Sequence, residues 1–238
     1  MSAATGSWKA GIAGTIRIAG ERAICDRRGA LFFPDFSLLA VSDLHLEKGS
    51  SAARRGSMLP PYDTAATLAC LKAVIDDLEP RTVVSLGDSF HDGEASARMP
   101  EVFRARLAAM MAGRDWFWVS GNHDPDPPEG VHGESVRELS IGSVVFRHEP
   151  AASPGVLGEI AGHLHPGARI VQRGRSIRRR CFATDGNRLI MPAFGSYTGS
   201  LNVLDRAFAG LFRSDGLIAH MLGADRTYPI AGTMLRPG

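Results

Sequence analysis

Five short apolar runs recur along the chain, and each leads straight into a cluster of Asp, His, Asn or Gly. Leu38–Val41 precedes SDLHLEKG, Val83–Leu86 precedes GDSFHD, Trp116–Val119 precedes SGNHD, Val144–Phe146 precedes RHEP, and Ile160 with Ala161 precedes GHLHP. Runs this short predict buried strands whose ends carry polar loops. Between the first two, Leu68, Leu71, Ile75 and Leu78 recur at three- and four-residue steps. That period predicts a helix over Asp63–Glu79, with Asp63 as N-cap and Pro80 as terminator. Pro100–Ala112 predicts another, followed by Gly113 in the left-handed position. Ile16/Ile18 and Leu31/Phe32/Phe33 predict a leading hairpin. From Leu189 onward, Leu201–Leu204, Leu211/Phe212 and Leu217–Leu222 alternate with Gly, Ser and Asp, predicting a strand-rich closing layer. Strands alternating with helices make an α/β protein, and no repeat or Pro/Gly-rich linker divides residues 1–238, which are expected to form one domain.

Composition narrows the class only slightly. The 238 residues are 44% hydrophobic and 22% charged, as in an ordinary globular chain rather than a disordered one. A net charge of +2 and a pI near 8.6 are too mild to mark a nucleic-acid binder by bulk electrostatics. Cys25, Cys70 and Cys181 lie far apart, without the spacing of a disulfide framework or a thiolate metal site. MSAATGSWKAGIAG lacks a continuous apolar segment, and no stretch approaches the roughly 18 apolar residues that span a bilayer. A cytoplasmic location without membrane association is expected.

The strand ends carry the chemistry. Asp43 and His45 are two residues apart, so in an extended backbone both side chains point the same way. Asp88 follows Gly87, Asn122 and His123 follow Gly121, His148 ends the fourth run, and His163 and His165 follow Gly162. In open α/β sheets such loops converge outside the carboxyl ends of the strands. Glycine at 87, 121 and 162 suits a place where several loops crowd around an ion. Imidazole, carboxylate and amide donors without thiolate suit Mn, with Fe or Zn as alternatives. The seven donors Asp43, His45, Asp88, Asn122, His148, His163 and His165 exceed what one open site takes, so two ions are expected. Two divalent ions, two carboxylates and a hydroxide leave a net positive centre, suited to hydrolysis of an anionic phosphate ester.

In order and spacing, DLH at 43–45, GDSFHD at 87–92, GNHD at 121–124, His148 and GHLH at 162–165 resemble the signature of the calcineurin-like metallophosphoesterases. The resemblance implies a four-layer α-β-β-α sandwich of two mixed sheets flanked by helices. It implies Asp43, His45 and His165 at one metal, Asn122, His148 and His163 at the other, and Asp88 between them. It also implies His123 facing the scissile phosphate, with Asp124 orienting its imidazole. The sequence departs from the common GDxxD: the fifth position is His91, and Asp92 comes one later. GDSFH is similar to the GDLFH of double-strand-break repair nucleases in this superfamily, which implies an assisting role for His91. DLHLEKG, HEP, GHLHP, an Arg-rich strand pair, CF and LIMPAFGSYTG together look like the DNA-ligase-associated branch, which implies DNA as substrate and association with a ligase and a helicase.

Other signals are weaker. Arg169, Arg173, Arg175, Arg178, Arg179 and Arg180 follow the GHLH ligands. They read either as a solvated hairpin face or as a phosphate-contacting strip, with Arg54 and Arg55 as possible additions. Asp92 reads as a turn residue, His132 and His220 as structural, and Cys181 as a small core side chain. Ser196 lacks G-x-S-x-G spacing, and no Walker motif is present, so serine-hydrolase and ATP-driven chemistry have no support. The expected function is a two-metal phosphodiesterase, a DNA endonuclease or nuclease of DNA repair. The alternatives are a phosphoesterase for nucleotides or cyclic phosphates and an idle scaffold that keeps the fold for protein contacts.

Overall fold

The computed structural model describes residues 14–57, 62–126, 128–153, 156–213 and 215–238. The N-terminal stretch read above for export lies outside these except for Gly14. The first sheet has the order β1 (Gly14–Ile18), β2 (Glu21–Cys25), β3 (Leu31–Phe33), β4 (Leu38–Val41), β5 (Thr82–Leu86), β6 (Asp115–Val119) and β7 (Glu134–Val136). It opens as an antiparallel meander and turns parallel from β4 onward. The second sheet contains β8 (Glu138–Ile141), β9 (Val144–Arg147), β10 (Glu159–Ala161), β11 (Pro166–Gln172), β12 (Arg175–Thr184), β13 (Arg188–Ile190), β14 (Leu201–Asn202), β15 (Ile218–Leu222) and β16 (Thr227–Ala231). Its order is β14-β11-β12-β13-β10-β9-β8, with β15 and β16 added beside β12. All five predicted strands before the polar clusters are present, as β4, β5, β6, β9 and β10.

Alternation along the strands sorts the core into layers. Leu38 and Ala40 of β4 face Phe146, Ile160, Phe182 and Leu189 of the second sheet, while Leu39 and Val41 turn toward the helices. The helices are α1 (Lys48–Arg54), α2 (Asp63–Leu78), α3 (Ala95–Arg98) and α4 (Glu101–Met111). Leu68, Leu71 and Ile75 of α2, with Leu107 and Met110 of α4, pack on Phe32, Val83, Trp116 and Trp118.

The sandwich of two mixed sheets is as expected, but its helical flank is one-sided among the described residues. The outer face of the second sheet is closed by single 3₁₀ turns at Arg206–Phe208 and Gly232–Met234, with Phe208, Leu211 and Leu235 covering Ala161, Cys181, Ile190 and Ala219. Pro192, Gly195, Gly199, Gly210 and Gly216 punctuate the covering segment, and the ten residues between Gly199 and Gly210 form a short strand and a 3₁₀ turn rather than an α-helix. Leu211/Phe212 accordingly forms a turn rather than a strand, and the Leu201–Leu204 strand shortens to two residues.

Asp63 does not cap its own helix. Tyr62 holds the cap position, and the Asp63 carboxylate accepts the Gly49 N–H at 3.0 Å. Thr64 accepts the Glu47 N–H at 2.8 Å. The start of α2 therefore ties down the loop that carries Asp43 and His45. No helix among the described residues is long and apolar enough to cross a membrane.

Phe146 bridges the sheets, meeting the Phe33 ring edge-on at 5.6 Å. Phe146→Ala is expected to cost about 3–5 kcal/mol, seen as a lower urea midpoint at unchanged slope.

Candidate metal centre

The loops leaving β4 and β5 remain zipped beyond the strands. Asp43 N–H donates to the Gly87 carbonyl, His45 N–H to Asp88, Leu46 N–H to Ser89, and His91 N–H back to Leu46. The Gly162 N–H donates to the His148 carbonyl at 2.9 Å, joining the loops after β9 and β10. The 193–195 segment backs this assembly, with Phe194 N–H on the Ser42 carbonyl and Gly195 N–H on that of Asp43.

Asp43, His45, Asp88, His163 and His165 all have φ between 43° and 68°. The pairing of Asp43 with His45 is thus not produced by an extended backbone; a left-handed turn brings the two side chains to one place. That region is uncommon outside glycine, although Asp and His enter it more readily than most residues. The three glycines are required sterically. A Cβ on Gly87 would overlap the His148 ring, one on Gly121 the Asp88 backbone, and one on Gly162 the Ser42 hydroxyl.

Two groups of donors result. In one, His165 Nε2 lies 3.1 Å from Asp43 Oδ1 and 3.4 Å from His45 Nε2. In the other, His148 Nε2 lies 3.4 Å from Asp88 Oδ2, 3.2 Å from His163 Nδ1 and 3.0 Å from Asn122 Oδ1, itself 2.9 Å from His163 Nδ1. For an ion about 2.1 Å from each donor, the edges of a tetrahedron or octahedron run roughly 3.0–3.4 Å, so these separations fit a coordination shell. Asp43 Oδ1 is buried with no hydrogen-bond partner, as a cation site would leave it. Among the described residues the groups Asp43/His45/His165 and Asp88/His148/His163 are the two that could hold a metal.

The electrostatics agree with that fit. Burial lowers His45 to about 4 against the opposing pull of Asp43 and Asp88, which keeps its imidazole neutral with a free lone pair. Burial also lowers His163. For His148 burial is outweighed by the hydrogen bond to Asp88 and the charges of Asp43 and Asp88, which raise it to about 9. A proton there occupies the position a cation would take, and binding a metal would release it. Burial works against ionisation of Asp88, yet His148 and the His123 N–H hold it at about 2. The Asp88 charge bears on His45 of one group and on His148 of the other, so the carboxylate is electrostatically shared by the two groups.

His123 stands at the open side, half exposed. Its N–H donates to Asp88 Oδ1 at 2.9 Å and its Nε2 is 3.9 Å from Asp88 Oδ2. His91 stacks on it at 5.6 Å and 15°, and both rings meet His45 edge-on at 5.5 Å.

Asp124 does not orient His123. Its Oδ2 accepts the Phe90 N–H at 3.0 Å, tying the third loop to the second, and burial raises it to about 7. Asp92 is more than a turn residue. It takes both Arg98 guanidinium nitrogens at 2.8 and 2.9 Å and the Ser51 hydroxyl at 2.6 Å, pinning α3 to α1.

The arginines do not form one strip. Alternation along β12 puts Arg175 and Arg179 on the face opposite Arg178 and Arg180. Arg180 is half-buried and bonds the Ala193 and Gly195 carbonyls, while Arg173 sits at the hairpin turn. Arg178 is exposed and donates to the Ser200 carbonyl, beside Leu201, whose N–H bonds the His165 carbonyl. Sequence reading also missed Ser42, whose hydroxyl donates to Asp43 Oδ2 at 2.5 Å; a serine before the first aspartate carries no signal of its own.

A family model described as calcineurin-like phosphoesterase matches residues 36–185, which include every donor above. This chain belongs to that family. The fold and the two donor groups accordingly identify it as a metal-dependent phosphoesterase using divalent ions. Among solved structures, it is similar to Pseudomonas putida nuclease MPE at 25% identity and a TM-score of 0.69, over 92% of this chain and 100% of that one. That neighbour is consistent with the DNA-ligase-associated branch. It also matches the E. coli phosphoesterase YfcE at 17% identity and a TM-score of 0.41, over 82% and 98%. No curated protein matches.

Replacing Asp88 by Asn keeps the shape and removes the shared charge. The variant is expected to lose bound metal and about 100-fold or more in phosphoesterase rate, measured as metal per chain alongside turnover of a chromogenic diester. An active variant holding a full metal complement would remove Asp88 from the centre.

Proposed function

We propose that this chain is a two-metal phosphodiesterase acting on DNA, a nuclease of DNA repair. The observation that carries the reading is the pair of donor groups coupled through Asp88, with His123 and His91 stacked at their open side. In this reading Asp43, His45 and His165 hold one ion, Asn122, His148 and His163 the other, and Asp88 serves both. When bound, two divalent ions lower the pKa of water near neutrality and neutralise charge on the phosphoryl oxygens. Manganese is the ion assigned, since N/O donors without thiolate suit it, with iron or zinc able to substitute.

The protein's own groups supply orientation and protons. His123, anchored through its N–H to Asp88, presents its imidazole where a proton can pass to the departing oxygen. His91 stacks on that ring and limits its rotation. Asp124 acts through the backbone, keeping the Asn122–His123 loop on the Ser89–Phe90 loop. Ser42 and the His163 N–H hold Asp43 Oδ2 by hydrogen bonds, leaving Oδ1 turned toward His165.

DNA as substrate draws support from the nuclease neighbour and from the exposed guanidinium of Arg178 beside the His165 loop. Arg173, Arg175 and Arg179 contribute at most at the rim of a bound strand. A cytoplasmic location is read from the scattered cysteines and the lack of an apolar export segment, and association with a ligase and a helicase from the branch resemblance. With all seven donors in place, an idle scaffold has nothing to recommend it.

The test uses purified protein stripped of metal and reloaded with Mn²⁺. It is expected to cut circular single-stranded DNA and a chromogenic diester, and to do neither when stripped. His123→Ala is expected to slow DNA cleavage by about 10²–10⁴-fold. Hydrolysis of nucleotides or cyclic phosphates with DNA left intact would overturn the nuclease reading in favour of a small-substrate phosphoesterase.

A further inference from the structure

Beside the metal centre lies a cleft of about 230 Å³ lined by Lys48, Ala52, Arg55, Ser57 and His91. Its wall is the His91 ring, which stacks on His123 and meets His45 edge-on. One imidazole therefore separates the cleft from the groups that face the reacting phosphate.

Both cations in the cleft are uncommitted in charge. Lys48 Nζ donates to the Tyr197 carbonyl at 3.0 Å, and Arg55 Nη2 donates to the Ser51 hydroxyl at 2.8 Å. Among the described residues neither forms an ion pair with a carboxylate. Their neighbours differ: Arg54 is paired with Glu94, and Arg98 with Asp92 and Glu94. Asp92 and Glu94 are thus paired with other arginines, and the buried Glu47 carboxylate is held by the Thr64 hydroxyl, leaving two positive charges over small side chains at the edge of a centre that handles phosphate. Carbonyl and hydroxyl partners hold a cation in place without neutralising it, so both retain attraction for an anion.

We infer that Lys48 and Arg55 form a subsite for the phosphate next to the scissile one, so that the enzyme prefers diesters carrying a second phosphate. This rests on the phosphodiesterase reading and makes it more specific: the preferred substrate class is the nucleotide chain rather than an isolated diester.

The experiment compares nitrophenyl diesters of thymidine. The nitrophenyl phosphate is carried at the 5′ position with and without a 3′-phosphate, and at the 3′ position with and without a 5′-phosphate. The readout is the ratio of kcat/KM with the added phosphate to kcat/KM without it, in the Mn²⁺-loaded full-length protein. The native protein is expected to favour the added phosphate by about tenfold or more in one of the two series, the effect of a single partly solvated charged contact. Lys48→Ala with Arg55→Ala should bring that ratio to near one, while Lys48→Arg with Arg55→Lys should retain most of it. The added preference should also shrink with rising salt.

A ratio near one for the native protein in both series, or a ratio unchanged by the double alanine variant, overturns the subsite. Failure of all four diesters with Mn²⁺, Fe²⁺ and Zn²⁺ would instead overturn the phosphodiesterase reading itself, and the subsite with it. If both double variants lose the preference alike, the cleft acts through packing rather than charge, and the subsite is again rejected.

Discussion

Seven nitrogen and oxygen donors gathered into two close groups, several with no proton to share, make an arrangement that water alone does not favour. His45 and His165 face each other through ring nitrogens, as do His148 and His163, while Asp43 Oδ1 is buried without a donor. Such a cluster needs positive charge at its centre. A proton held between His148 and Asp88 supplies part of it, and two divalent cations would supply it fully. The loops, the glycines and the sheet geometry can all be understood as means of holding these lone pairs together.

Holding them is costly. Five of the seven donors sit in the left-handed region, at about 1 kcal/mol or more apiece, which is a sizeable share of a domain's net stability. The conformation persists because the surroundings fix it from several directions. The β4 and β5 loops are zipped together by backbone bonds, the 193–195 segment seals them from behind, and Asp63 and Thr64 fasten the exit toward α1. Farther out, Arg188 and Glu159 form a fully buried ion pair. Arg188 also bonds the Ala151 carbonyl, and Glu159 the Ala151 N–H, which anchors the chain just after His148. The rigid sandwich thus absorbs strain that pre-positions the donors.

Much of this was legible in the residues. The apolar runs gave β4, β5, β6, β9 and β10 because each is buried and short, and polar clusters at their ends marked where parallel strands release their loops. Gly87, Gly121 and Gly162 could be read as crowding points, and the space around them bears this out. What escaped was determined by tertiary partners. Asp63 looks like a cap, but its carboxylate goes to Gly49; Asp124 looks like a histidine partner, but its oxygen goes to Phe90. The run of arginines looks continuous in one dimension, whereas strand alternation splits it between two faces and carbonyl hydrogen bonds hold Arg180, half-buried, against the 193–195 segment. Helices on both outer faces were expected, and among the described residues the second sheet is closed by 3₁₀ turns.

Two cations are expected to occupy the two donor groups. Anomalous diffraction at the manganese edge, from crystals of the protein grown with Mn²⁺, tests it most directly. Two peaks are predicted, one among Asp43, His45 and His165 and the other among Asn122, His148 and His163, with Asp88 between them. A single peak, or donors that part from one another with no ion between them, would contradict the account.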